Sequence, residues 1–163
     1  TLRPGHFALG VEPAVYLQPS DFVLFLHGGV GLVRGVDLDL QVGLGSDPTY
    51  LGADVEFALV GDTRRSLGVS LAAGVHGTSH LGLDGTLMIS NRFPTFSLFG
   101  ALDLDMEFVD TDADEADEVL IPVYLDIGVA IPLARKLEFL LEGDIGLTEE
   151  ANSGLAGGLM IYF

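Results

Sequence analysis

Between Val36 and Gly45 the chain reads VDLDLQVGLG, so that Val36, Leu38, Leu40, Val42 and Leu44 alternate with Asp37, Asp39 and Gln41. A period of two belongs to an extended strand, whose successive side chains point to opposite faces. The alternation returns in LGADVEFALV from Leu51, in ALDLDMEF from Ala101 and in GLAGGLMIYF from Gly154. Each stretch pairs an apolar face with one that is acidic or very small. This sorting reconciles two conflicting totals, a mean hydropathy of +0.46 and a formal net charge of −17. An ordinary soluble chain this acidic is hydrophilic on average.

The length of 163 residues suits a single domain spanning 1–163. Cysteine is absent, which excludes a disulfide framework and thiolate metal sites. Every apolar run is interrupted by Gly, Asp or Glu well before the ~20 residues of a spanning helix. The acidity argues against nucleic acid as a partner, because phosphate binding needs a basic patch. The opening residues carry no signal-peptide pattern, so Thr1 is expected to begin a mature or trimmed chain.

Taken in order, strands are expected over His6–Leu17, Phe22–Val33, Val36–Gly45, Tyr50–Val60, Leu67–His76, Leu81–Ser90, Phe96–Phe108, Val119–Ile131, Leu137–Leu147 and Gly154–Phe163. Pro13 has no backbone donor and predicts a bulge or kink in the first of them. Arg34-Gly35 reads as a tight hairpin. Ten strands of ~9–13 residues match the length a tilted strand needs to cross a bilayer, with eight as the alternative if weak strands merge.

The last strand sharpens the reading. Gly158, Ile161 and Phe163 fit a Gly-x-x-apolar-x-Phe pattern, with Gly157 where a polar residue is usual. In this the chain resembles bacterial outer-membrane β-barrels, which carry that pattern as an assembly signal, and small OmpA-, OmpX- and OmpW-like barrels are the nearest type. The resemblance implies an all-β, closed antiparallel up-and-down transmembrane barrel. It also implies the lipid bilayer, outer-membrane glycolipid and the barrel-assembly machinery as partners. Termini and short turns would face the periplasm and longer loops the exterior.

Alternation alone also fits a soluble acidic β-sandwich or lipocalin-like barrel of a salt-adapted kind. Three patterns favour the membrane. First, the polar face carries Glu12, Asp37, Asp39, Asp54, Glu56, Asp84, Asp103, Asp105, Glu107, Asp126, Glu138, Glu142 and Asp144, otherwise mostly Gly, Ala and Ser, with no Lys or Arg expected within a strand. Small residues suit a narrow lumen. Second, Phe7, Phe22, Tyr50, Phe93, Phe96, Phe108, Tyr162 and Phe163 lie near strand ends, as in an interfacial girdle. Third, all 7 basic residues, Arg3, Arg34, Arg64, Arg65, Arg92, Arg135 and Lys136, fall in connections at one end of an up-and-down barrel. Asp21, Asp47, Asp110 to Glu118, Glu149 and Glu150 fall at the other.

Four functional readings follow. Glu12, Asp54, Glu56, Asp103, Asp126, Glu142 and Asp144 are expected as a mid-height belt in a wet lumen, making a passive, cation-preferring pore. A non-conducting structural or surface-interaction barrel is the alternative. Asp110, Asp112 and Asp114 repeat the opening spacing of a calcium loop, but Glu115 replaces the required glycine and Ile121 the closing acid. Weak divalent-cation bridging is the most that loop offers, and no other cofactor is expected. His76, Ser79, His80 and Asp84 would be the elements of a rim hydrolase similar to outer-membrane lipid A deacylases, but their order and spacing differ from that group.

Overall fold

A computed structural model describes residues 2–17, 20–45, 49–61, 67–77, 80–109 and 118–163. Its strand segments are β1 (Phe7–Leu17), β2 (Ser20–Val33), β3 (Val36–Leu44), β4 (Tyr50–Val60), β5 (Leu67–Gly77), β6 (Leu81–Arg92), β7 (Ser97–Val109), β8 (Glu118–Leu120), β9 (Val123–Ala134), β10 (Leu137–Gly146) and β11 (Gly154–Tyr162). Neighbouring strands pair antiparallel around a single sheet, and β1 pairs with β11 while β6 pairs with β7. The sheet therefore closes on itself.

β8 and β9 both pair with β7 and together form one stave, giving a closed antiparallel barrel of 10 strands. The expected continuous strand Val119–Ile131 is thus interrupted, at Ile121-Pro122. Pro122 has no N–H for the ladder, but its carbonyl still accepts from the Asp105 N–H at 3.0 Å, which keeps the two segments aligned. Pro13 behaves differently from expectation. The β1–β2 register runs unbroken from Phe7 to Leu17, and Pro13 points outward, so no bulge forms there. The register shifts fall at Gly31/Val33, Ala58/Val60 and Leu137/Glu138, all beside the short turns of one rim. At that rim Gly35 adopts a φ of +77°, as the Arg34-Gly35 hairpin requires.

The apolar parity faces outward. Leu40, Leu102, Leu104, Ile127 and Leu141 are 42% to 56% exposed. Leu38, Val55 and Val123, on the same outward parity, are half-buried. They have not turned inward: Leu38 lies between Val30 and Val55, and Val123 opposite Leu104, so outer-face neighbours shade one another. The buried apolar residues are few and mostly small, namely Ala8, Ala14, Val23, Phe25, Ala101, Ala130 and Ala156. A soluble sandwich would have buried the leucines, and their exposure around the whole wall excludes it. Such a surface needs hydrocarbon around it.

Not every aromatic joins the girdle. Phe7, Phe22, Phe93, Phe108 and Phe163 are exposed near strand ends, and Phe93 stacks on Phe96 with centroids 4.8 Å apart. Tyr50 and Tyr162 turn into the barrel instead. The Tyr162 hydroxyl donates to Glu138 Oε2 at 2.6 Å, and Tyr50 packs on Phe25. At these positions strand parity outweighs the interfacial preference of the ring.

Replacing Leu104 with Arg near mid-height should cost about 2–4 kcal/mol, whereas Leu81→Arg at a strand end should cost about 0–1 kcal/mol. Equilibrium folding into phospholipid vesicles, followed by the shifted gel migration of the folded barrel, measures both.

Candidate functional site

Closure turns the second parity into a lumen. A wide cavity of about 790 Å³ occupies the end lined by Arg3, His6, Arg92, Arg135, Lys136 and Glu138. A narrower one of about 280 Å³ continues toward the opposite end, lined by Asp54, Asp84, Asp103, Asp105, Tyr50 and His76. Asp39, Glu56, Ser70 and Met88 border both, so the two volumes adjoin.

The ladders bring carboxylates face to face. Asp37 pairs with Glu56, Asp39 with Asp54, Asp84 with Asp105, and Asp126 with Asp144. Asp103 lies opposite Thr86, whose hydroxyl donates to its Oδ1 at 2.7 Å. Oxygens of Asp126, Glu142 and Asp144 fall within 4.8 Å of one another. Like charges directly opposite in a ladder are destabilising. Protons, water or cations must therefore offset this arrangement. The expected belt residues Glu12, Asp54, Glu56, Asp103, Asp126, Glu142 and Asp144 all stand on the inward parity, and none is exposed on the outer wall.

Two histidines enter the belt. His76 Nδ1 lies 3.3 Å from Asp84 Oδ1, and His27 Nε2 lies 3.9 Å from Glu12 Oε1. His6 sits at the basic rim, where Nδ1–H donates to the Phe163 carbonyl at 2.7 Å. His80 stands at the start of β6, outside the narrow cavity's lining. The His76–Asp84 half of the hydrolase reading therefore exists, while Ser79 lies outside the described residues. Asp110, Asp112 and Asp114 also lie outside them, as do Arg64 and Arg65.

An aromatic arc escaped the sequence reading. Phe25 meets Tyr50 edge-on at 5.7 Å, and Tyr50 stacks on His76 at 5.7 Å. Ala14, Val23, Phe25 and Ala156 form a small core against Tyr16 and Tyr50. This core narrows the lumen, and Tyr50 at its edge also lines the narrow cavity. Its signal was the inward parity of Tyr16, Phe25 and Tyr50.

The basic connections share one rim, because Arg34, Arg92 and Arg135-Lys136 lie at β2–β3, β6–β7 and β9–β10 junctions of an up-and-down barrel. Arg92 corrects the expectation that no strand carries a basic residue, since β6 runs on to include it and its side chain lines the wide cavity. The segment before β1 folds back into the same mouth. The Leu2 N–H donates to Asp37 Oδ2, and the Gly5 N–H donates to the Gly31 carbonyl at 2.8 Å. At the closing seam the Phe163 N–H donates to the Phe7 carbonyl at 2.8 Å. Gly158 faces β1 so closely that a Cβ would lie 2.7 Å from the Val11 carbonyl oxygen. Ile161 stands on the outer wall.

No protein-family model matches the sequence, and no curated protein sequence matches it. Solved structures do. The NanC porin superposes with a TM-score of 0.65 at 9% identity, covering 94% of this chain and 98% of that one. The KdgM porin gives 0.58 at 6% identity, covering 96% and 99%. KdgM in complex with disordered oligogalacturonate gives 0.54 at 8% identity, covering 96% and 99%. The fold is that of a porin barrel.

Gly74 lies opposite Asp54 in the β4–β5 ladder, and a Cβ there would run into the Asp54 carboxylate and approach the Ala53 carbonyl oxygen at 2.8 Å. Gly74→Ala should therefore destabilise the barrel by about 1–3 kcal/mol. Gly85→Ala, where a Cβ meets nothing within 4 Å, should leave stability unchanged. Urea unfolding midpoints of the two variants in detergent micelles check the contrast.

Proposed function

We propose that this chain is a passive, narrow, cation-preferring pore of the bacterial outer membrane. The observation that carries the reading is the inward-facing belt, in which the cross-strand pairs Asp37–Glu56, Asp39–Asp54 and Asp84–Asp105 border adjoining cavities and Asp126–Asp144 shares the inward parity. A carboxylate-lined passage within a low-dielectric wall concentrates cations and repels anions. The porin fold supports a conducting role, and neither porin is an enzyme by its name. KdgM was solved with oligogalacturonate, a polyanion, and a lumen as acidic as this one selects against that class of solute. The basic rim would lie at the periplasmic side with both termini, and the acidic connections would face outward toward glycolipid. Gly158, Ile161 and Phe163, at or near the closing seam, would be read by the barrel-assembly machinery.

The triple variant Asp54→Asn, Asp103→Asn, Asp126→Asn should lower cation preference while the folded gel migration persists. Reversal potentials in a KCl gradient across a planar bilayer measure it. Selectivity of the unaltered barrel should also weaken as salt rises from about 0.1 M to about 1 M, because the screening length shortens from about 10 Å to about 3 Å. A barrel without conductance, or a triple variant with unchanged selectivity, sinks the pore reading and leaves the structural envelope role.

A further inference from the structure

A cluster of a different kind from the belt lies at the narrow cavity, whose lining includes His76 and Asp105. A ring nitrogen of His76 and carboxylate oxygens of Asp105 and Glu107 lie within 4.8 Å of one another. His76 is 8% exposed, and its ring orientation is fixed on three sides. Tyr50 stacks against one face, with an interplanar angle of 19°. Gly82 of β6 offers bare backbone beneath the ring, where a Cβ would collide with Nε2, Cε1 and Cδ2. Asp84 holds Nδ1 at 3.3 Å. With Nδ1 held by Asp84, Nε2 is the nitrogen left for a ligand. It lies over Gly82, whose cross-strand partner is Glu107, and Asp105 shares the inward row of β7.

We propose that His76 Nε2, Asp105 and Glu107 form a binding site for one divalent transition-metal ion of the zinc type, with Asp84 as the positioning residue for the imidazole. A histidine that ligates a metal characteristically donates its other N–H to a carboxylate, which fixes the tautomer and makes the free nitrogen a better donor. One nitrogen and two carboxylates suit Zn²⁺ with water in the fourth position, whereas Ca²⁺ and Mg²⁺ prefer all-oxygen shells. Tetrahedral bonds of about 2.0–2.2 Å bring donors to roughly 3.3–3.6 Å apart, a closure of at most about 1.5 Å by side-chain rotation from the present spacing. The acidic lumen would draw the ion in, and the bound ion would neutralise part of the narrow passage. The site stands on these side chains alone, and its effect on current rests on the pore reading.

Isothermal titration of the detergent-folded barrel with ZnCl₂ tests binding directly. One Zn²⁺ per barrel is expected, with neither CaCl₂ nor MgCl₂ competing at equal concentration. His76→Asn and Glu107→Gln should each weaken binding at least tenfold, and Asp84→Asn about 10–100-fold. Glu150→Gln, exposed in the connection between β10 and β11 and outside the lumen, should leave Zn²⁺ affinity unchanged. Gel migration confirms that each variant is folded. A second arm adds ZnCl₂ to a bilayer first recorded in EDTA, where current should fall for the unaltered barrel and persist for His76→Asn. Undetectable Zn²⁺ binding, unchanged affinity in His76→Asn, or equal binding of Ca²⁺ overturns the site in favour of diffuse attraction to the carboxylates. Absence of current in EDTA overturns the pore while the titration still decides the site.

Discussion

The structure depends on closing the backbone ladder. In hydrocarbon an unpaired N–H or carbonyl has no water to turn to, so a sheet can span only if its first and last strands meet. Here β1 meets β11 along most of its length. Once the ring is shut, the period of two acquires absolute meaning: one parity is outside and the other inside. Leucine, isoleucine and phenylalanine cover the first, and glycine, alanine and carboxylates line the second. A slip of one residue in any ladder would put aspartates into lipid and leucines into the lumen, so the register is strongly enforced.

The same closure creates the electrostatic problem that gives the lumen its character. Pairs such as Asp39 with Asp54 and Asp84 with Asp105 are placed side by side by hydrogen bonds of the main chain, regardless of their charge. The protein supplies few local answers. Thr86 donates to Asp103, His76 stands beside Asp84, and the Leu2 N–H reaches Asp37. The remainder falls to protons on the carboxyls and to whatever fills the passage. The basic residues at the wide mouth are arranged around its entrance, away from the narrower acidic side.

Much of this was legible because parity is a local property. The strands from Val36 and from Tyr50, and the side on which Asp54, Asp103 and Glu142 stand, follow from a few consecutive residues each. The interruption at Pro122 was not read, because a proline inside an apolar run fits a bent strand as well as two short ones. Tyr50 and Tyr162 were read by chemical type as girdle residues, although their parity already placed them within. What the sequence could not show is which inward side chains touch. His76 meets Asp84 only because the β5–β6 hairpin aligns them, and Asp84 meets Asp105 only through the β6–β7 register. The acidic loop Asp110 to Glu118 gave a motif without the glycine and closing acid that would have fixed its geometry.

The inner wall is also built in complementary halves. The ring of His76 rests on Gly82, the ring of Phe99 on Gly128, and the Asp54 carboxylate reaches over Gly74, each large group occupying the space a neighbouring strand leaves empty. Bulk on one strand is thus tied to its lack on the next. In an evolving lineage such positions would drift as couples, a gain of side chain on one stave requiring a loss on its neighbour. The bore would then keep its width while the chemistry lining it is exchanged.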